Sequence, residues 1–470
     1  MWIRSRHSIQ RVAHCFSKRC YSSEAPSNVV SDMTRRGLVA NTTSPNVVEM
    51  TNKPTTIYCG VDPTAKSLHL GNLVTLMGLF HFHIRGHQTI ALVGGATGSI
   101  GDPSGRQSER VPLTRDVLSQ NIAGIEKQVH RFFANGAAYA ERRGFNYETR
   151  TPKVLNNYDW FSNMTALEFL GDVGRYARVN TMLAKESVKS RIESTQGISF
   201  TEFSYQLLQA YDFWYLYQNH HCRIQLGGSD QWGNITAGID LIGRRRDAVS
   251  EPNKEDHAKD AYGITIPLLL TSTGEKFGKS AGNAVWLDET MTSIYDFYQF
   301  FIKTTDADVG KLLGMFTLYK EHDIKEILHE HAKNPEKRLA QQALANETTE
   351  LVHGLDGVQQ AQTATKVLFG EDLGALNGQT IVNAFKHDRS RFTTLERAQV
   401  IGQGLDTIAT LANATKSKSE AQKRIKAGGM YLNNIRVSDP RHKVEPTDLI
   451  DGQVCVLRLG KSSYHLVHVI

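Results

Sequence analysis

Cysteine is scarce. The 470 residues contain five, Cys15, Cys20, Cys59, Cys222 and Cys455, and none forms a CxxC pair. That spacing indicates neither a disulfide framework nor a cysteine zinc site. The 18 histidines form no HExxH. The His81–His83 and His329–His331 pairs are expected to be solvated helix residues rather than metal ligands. Long apolar runs are missing too. No stretch approaches the roughly 18 uncharged apolar residues of a spanning helix. The longest, near Ile264 to Leu270, is strand-sized, so no membrane partner is expected.

Acid is absent from residues 1–23, which hold Arg4, Arg6, Arg11, Lys18 and Arg19. Ile9, Val12, Ala13 and Phe16 line one helical face there. A basic, acid-free, amphipathic start has the composition of a mitochondrial transit peptide, which implies the mitochondrial matrix. A secretory signal would need an apolar core that His7, Gln10, Arg11 and His14 interrupt.

What is present fits a folded chain of about three domains, at roughly 150 residues each. The hydrophobic fraction is 40% and the charged fraction 22%, with a net charge of +6. The basic excess sits at the two ends. Residues 415–470 carry 10 Lys and Arg against 5 acids.

Strands and helices alternate from Thr55 onward. Strands are expected at Thr55–Val61, Thr89–Val93, Val154–Tyr158, Arg223–Leu226 and Ile264–Leu270. Helices are expected at Asn72–Arg85, Thr114–Phe133, Phe200–Tyr217 and Gln231–Arg246. Residues 24–54 read as a linker with a short helix near Val29 to Arg36. The alternation implies an α/β fold, a doubly wound parallel sheet with helices on both faces. After about residue 290 the pattern is helical only, with Asn334-Pro335 opening a helix that runs to Val352. Ser417-Lys418-Ser419-Glu420 is a capping box opening a short basic helix. Hairpin signals follow at Asn433-Asn434 and Gly460-Lys461-Ser462.

Two glycine-rich stretches suit polyphosphate binding. Gly95 to Gly101 follows a strand but lacks GxGxxG spacing. Gly274 to Ser280 is one residue short of a P-loop. A third motif makes the set specific. Tyr58-Cys59-Gly60-Val61-Asp62-Pro63-Thr64-Ala65 precedes Ser67-Leu68-His69-Leu70-Gly71-Asn72. With Lys276-Phe277-Gly278-Lys279-Ser280, it resembles the two signature sequences of class I aminoacyl-tRNA synthetases. The stretches 101–105, 205–212 and 227–234 make the chain similar to the bacterial and organellar tyrosyl-tRNA synthetases. The resemblance covers essentially all of 30–470. The signature His-Ile-Gly-His is His-Leu-Gly-Asn here, so Asn72 stands for the second histidine.

The resemblance implies a nucleotide-binding, Rossmann-like class I fold. It implies ATP-dependent attachment of L-tyrosine to tRNA(Tyr) through tyrosyl-adenylate, in mitochondrial translation. Its parts would be a transit peptide at 1–23, a linker and helix at 24–54, and a catalytic domain at 55–290. A helical anticodon-proximal domain at 291–400, a linker at 401–414 and an RNA-binding domain at 415–470 would follow. His69, Asn72, Lys276, Lys279, Arg106 and Arg110 would serve the phosphates. Tyr58 and Asp212 would hold the phenolic hydroxyl. Asp102, Tyr205 and Gln209 would hold the ammonium, and Gln231 would face the carboxylate. Cys59, Gly60, Asp62, Gly228 and Asp230, with His69 and Lys279, would contact ATP. Lys416, Lys418, Lys423, Arg424 and Lys426 would track tRNA. Magnesium is expected with ATP, no structural metal is assigned, and a homodimer is carried over from the family. Two rivals remain open from sequence: a tryptophan-specific relative, and an RNA-binding protein built on the same scaffold.

Overall fold

The computed structural model describes residues 28–470 except 107, 146–149, 249–259, 273, 275–276, 281–282, 369–376, 389 and 461–462. At 279, 280 and 283 the backbone alone is described. The transit-peptide expectation for 1–23 and the expectation for Lys276 therefore lie outside the described residues.

The first sheet contains β1 (Asn41–Thr42), β2 (Thr56–Val61), β3 (Gln88–Val93), β4 (Lys153–Asn156), β5 (Cys222–Gly228) and β6 (Tyr262–Ile266). Their order is β1-β6-β5-β2-β3-β4. All neighbours are parallel except the edge pair β1–β6. The inner strands are apolar on both faces, as a sheet covered twice requires. One face packs the Leu70–His83 and Arg115–Arg142 helices, in a core with Ile57, Leu73, Met77 and Phe132. The other packs the Phe200–His220 and Trp232–Asp247 helices, through Tyr58, Ile90, Phe213 and Ile242. The chain leaves β2 toward β3 and β4, then returns to its other side for β5 and β6. In such sheets the crevice at the carboxyl ends, where the winding reverses, is the ligand site.

Some expectations change. Residues 24–54 are not a linker over their described part. The helix Val29–Arg35 is present, capped by Asn28, but Val29, Val30, Met33, Leu38 and Val47 are buried in the main core. Arg36 donates to the carbonyls of Thr317 and Tyr319, both at 3.0 Å, tying this segment to the later helices. His81 and His83 are not solvated but buried, as is His331. Burial, with Arg36 and Arg85 nearby, pushes the His81 pKa well below its ordinary value, so this ring is neutral core. The short helices Tyr158–Phe161, Ala166–Asp172, Val179–Leu183 and Glu186–Ile192 fill a stretch for which sequence periodicity gave nothing.

A two-stranded ribbon, β7 (Lys279–Ser280) and β8 (Asn283–Ala284), leads out of the sheet domain. Among the described residues the helices Ile294–Ile302, Asp306–Phe316, Glu321–Lys333, Leu339–Leu368 and Gly378–Phe385 follow. Asn334-Pro335 opens only a single turn, because Arg338 takes a left-handed φ of 52° before the long helix starts. That helix passes Val352 but kinks at Gly354, whose φ is 77°.

The last sheet holds β9 (Phe392–Leu395), β10 (Met430–Leu432), β11 (Ile435–Arg436), β12 (Val454–Leu459) and β13 (Ser463–Val469). Its order is β11-β10-β12-β13-β9. Asn433 and Asn434 have φ of 49° and 66°, which a two-residue type I′ hairpin needs. Residues 401–414 are not a loose connection. The helix Leu405–Leu411 buries Leu405, Ile408 and Ala409 in one core with Ile425 and Leu457. With β9 parallel to β13, the C-terminal unit begins well before residue 415.

Candidate active site

A cleft enclosing about 2890 Å³ of space continuous with solvent opens at the carboxyl ends of β2, β5 and β6. It is lined by Tyr58, Cys59, Gly60, Asp62, His69, Asn72, Asp102, Arg106, Arg110, Tyr205, Gln209, Asp212, Gly228, Asp230 and Gln231. Residues scattered over 174 positions of sequence thus share one space. Lys276 falls outside the described residues. Lys279 sits on β7, and of its side chain nothing is described.

One end of the cleft is buried and polar. Tyr58 lies on β2 against Phe213, their rings 5.4 Å apart. Its hydroxyl is buried without a hydrogen-bond partner among the described residues. Leaving a buried hydroxyl unpaired costs about 1–3 kcal/mol, so an orphan here marks a place for a ligand group. Asp212 faces the same space from the Phe200–His220 helix. Trp160 Nε1 donates to its Oδ1 at 2.9 Å and Asn157 Nδ2 to its Oδ2 at 3.1 Å. Sequence reasoning missed both donors. Their signal was position: both lie within four residues of the end of β4, at the carboxyl edge where α/β sheets place ligands.

Tyr205, Gln209 and Asp212 come from one face of that helix. Tyr205 Oη donates to Asp62 Oδ2 at 2.8 Å, and Thr97 Oγ1 to Asp62 Oδ1 at 2.8 Å. Asp102 accepts from Gln231 Nε2 at 2.6 Å and from the Ser104 N–H at 3.0 Å. Asn234, also missed, donates to Gln209 Oε1 at 3.0 Å and links this network to the helix. Gln231 thus turns its amide toward Asp102, and the carboxylate-facing role drawn from the resemblance is not what this rotamer presents.

Burial dominates the carboxyl groups here. It lifts Asp212 from 3.8 to about 8, against the Asn157 and Trp160 hydrogen bonds that lower it. It lifts Asp62 to about 6, with the Asp102 charge adding to it. Folded chains therefore bind more protons than unfolded ones above pH 3.8, and stability falls as pH rises toward 8. Asp212→Asn should flatten that fall. Thermal midpoints measured from pH 5 to 8 check it, and equal slopes in both proteins would contradict it.

The other end is cationic and backbone-lined. His69 caps the Leu70–His83 helix. Its Nδ1 accepts from the Asn72 N–H at 3.4 Å, and Asn72 Oδ1 accepts from the His69 N–H at 3.0 Å. Asn72 closes a reciprocal capping box, so its oxygen is spent on fixing His69. Arg110 packs on Gly101, and its Nε is buried without a partner among the described residues. Burial, then the neighbouring Arg110, lowers the Arg106 pKa. Such a crowded cation pair favours an anion between them. Among the described residues no cluster of His, Cys, Asp and Glu could hold a metal ion.

The two glycine-containing motifs are bridged through Val285. The Leu70 N–H donates to Val285 O at 3.0 Å, and the Val285 N–H to Gly278 O at 2.8 Å. Gly278 has φ of 86°, and a Cβ there would lie 2.9 Å from Leu70 Cβ. Gly278→Ala should therefore raise the KM for ATP and lower stability by about 1 kcal/mol or more. An unchanged KM would mean the loop and helix do not meet in the working enzyme.

In the C-terminal unit, Lys416, Lys418, Lys423, Arg424 and Lys426 are all exposed, on or beside the Lys418–Lys426 helix. Arg424 is turned to Glu420 at 2.9 Å.

Residues 50–370 match the family described as tRNA synthetases class I (W and Y). Residues 391–467 match the tyrosine–tRNA ligase SYY-like C-terminal domain. The chain is 41% identical over 459 residues to the mitochondrial tyrosine–tRNA ligase of Saccharomyces cerevisiae, covering 95% of this chain and 90% of that one. It is 42% identical over 448 residues to the chloroplastic/mitochondrial tyrosine–tRNA ligase of Arabidopsis thaliana, covering 94% and 84%. Among solved structures, a C-terminally truncated mitochondrial tyrosyl-tRNA synthetase of Aspergillus nidulans superposes with a TM-score of 0.67 at 35% identity, covering 77% and 97%. The two family matches lie in succession along the chain, and the chain belongs to the tyrosine–tRNA ligase family of class I tRNA synthetases.

Proposed function

We propose that the chain attaches L-tyrosine to tRNA(Tyr) in the mitochondrial matrix. One observation carries the choice of amino acid: the unpaired Tyr58 hydroxyl shares the buried end of the cleft with Asp212. A pair built around a missing hydroxyl selects a phenol. An indole offers one N–H donor and no acceptor, so it gives the Tyr58 O–H nothing to donate to.

The substrate carboxylate attacks the ATP α-phosphorus, an O–P bond forms, and pyrophosphate leaves with its bond electrons. A carboxylate needs no general base, so catalysis is positioning and charge stabilisation. Tyr58 and Asp212 take the phenol. Asp102, Tyr205 and Gln209 orient the amino acid by its ammonium, with Gln231 holding Asp102. Cys59, Gly60, Asp62, Gly228 and Asp230 flank the nucleoside. His69, Arg106 and Arg110 serve the phosphates, with Asn72 fixing His69, and the family resemblance gives Lys276 and Lys279 the same task. Magnesium would enter with ATP and would offset the charge of its phosphates. A ribose hydroxyl of tRNA then attacks the tyrosyl carbonyl and AMP leaves. Charging of a mitochondrial tRNA(Tyr) transcript with labelled tyrosine tests this. No charging by a chain that binds the transcript would overturn it.

The working form is a homodimer. Leu167, Leu170, Val179, Leu183, Ile192 and Phe200 are exposed apolar side chains within one stretch, Leu167 at 82% and Phe200 at 78%. A concentration of that kind supports an interface. Phe200→Asp should halve the mass measured by sedimentation. An unchanged dimer would assign the contact elsewhere.

A further inference from the structure

The C-terminal sheet carries an ordered row that the reaction does not use. Arg436 on β11 stands opposite Tyr431 on β10, Tyr431 opposite Arg458 on β12, and Arg458 opposite Tyr464 on β13. Residues directly opposite in antiparallel pairs share a face. Cation and ring therefore alternate across four adjacent strands. The Arg458 guanidinium lies 3.6 Å from the Tyr431 ring centroid and 6.0 Å from that of Tyr464.

Packing leaves this row at the open end of its face. Val454 and Val456 precede Arg458 by alternation and are covered by Ala364, Val367 and Phe385. The opposite face, with Cys455 and Leu457, is closed by Ile425 and its neighbours. Along the row, burial falls from Tyr464, which is buried, through half-buried Arg458 and Tyr431 to exposed Arg436. The Arg436 guanidinium lies against Gly428, just past the basic Lys418–Lys426 helix.

Neither arginine is neutralised. Among the described residues no carboxylate pairs with Arg436 or Arg458. Arg458 Nη1 donates to Gly460 O at 3.0 Å, and its Nε is buried without a partner. Internal packing alone would match such cations with acids, and residues 415–470 have 5 acids to 10 basic residues. Phosphate answers two uncompensated guanidinium groups. An unpaired base answers a half-exposed ring already stacked on one side.

We propose that this row is a nucleotide-stacking site, with an unpaired base of bound RNA on the Tyr431–Arg458 stack and an adjacent phosphate on Arg436. It rests on the tRNA-ligase reading above and adds a site distinct from the basic helix. The test uses the full chain and a fluorescently labelled mitochondrial tRNA(Tyr) transcript, read by anisotropy. Tyr431→Leu should bind about tenfold more weakly, and Tyr431→Phe, which keeps the ring, within about twofold of wild type. Arg436→Gln should weaken binding and lower the slope of log affinity against log salt by about one. Tyrosine-dependent pyrophosphate exchange should be unchanged in all three. Wild-type affinity in Tyr431→Leu, or equal losses in Tyr431→Leu and Tyr431→Phe, would overturn the stacking site. Loss of binding only in Lys423→Gln/Lys426→Gln would assign the RNA to the helix alone. A wild-type chain that binds the transcript but exchanges no pyrophosphate would sink the ligase reading and leave the stacking site standing.

Discussion

Asp212→Ala should lower kcat/KM for tyrosine by about 100- to 1000-fold, from two unpaired buried groups at about 1–3 kcal/mol each. The substitution removes the acceptor of Trp160 Nε1 and one of the two acceptors of Asn157 Nδ2, which keeps Thr97 Oγ1 at 3.0 Å. It also leaves the Tyr58 hydroxyl to hold the phenol by itself. Rejection of phenylalanine should weaken in parallel. A site that hydrogen-bonds a substrate hydroxyl penalises the analogue lacking it through its own unpaired groups. Tyrosyl-tRNA synthetases are themselves the standard illustration of that rule. Asp212→Asn is the milder control, since it keeps the shape and one acceptor. Kinetics for both amino acids equal to wild type in Asp212→Ala would remove this residue from the pocket.

His69→Ala should lower the rate of adenylate formation by about 100- to 1000-fold, the usual loss for one transition-state donor. An Nδ1 that accepts from the Asn72 N–H leaves the neutral ring's proton on Nε2, which makes the ring a donor. Its place at a helix N-terminus adds the partial positive charge of that end. The KM for tyrosine should hardly change, because Tyr58 and Asp212 lie at the opposite end of the cleft. The lost cap should cost about 1 kcal/mol of stability as well. His69→Asn separates the two effects: asparagine caps a helix well but does not reach as far. Low activity with near-normal stability is expected. Wild-type rates in His69→Ala would show that phosphate stabilisation lies elsewhere.

The sheet domain is legible in the sequence because β2, β3, β5 and β6 are short apolar runs bounded by turns. The cleft is legible because its residues lie in compact motifs, Tyr58 to Ala65 and Tyr205 to Asp212 among them. Long-range pairing is not. Phe392 stands beside Leu466 in a parallel pair, and nothing local announces a partner so far along the chain. Residues 24–54 look like a linker because polar residues and prolines outnumber the few apolar ones, yet those few fill the core. Asn157 and Trp160 carry no motif, and only the position of β4 gives them meaning. The buried neutral histidines, His81 and His83, follow from packing that spacing alone cannot report.

The central claim is that this cleft activates tyrosine. Amino-acid-dependent exchange of pyrophosphate into ATP, measured on residues 24–470 without tRNA, tests it most directly. Exchange is expected with tyrosine and essentially none with tryptophan or phenylalanine. Exchange with tryptophan and none with tyrosine would contradict it.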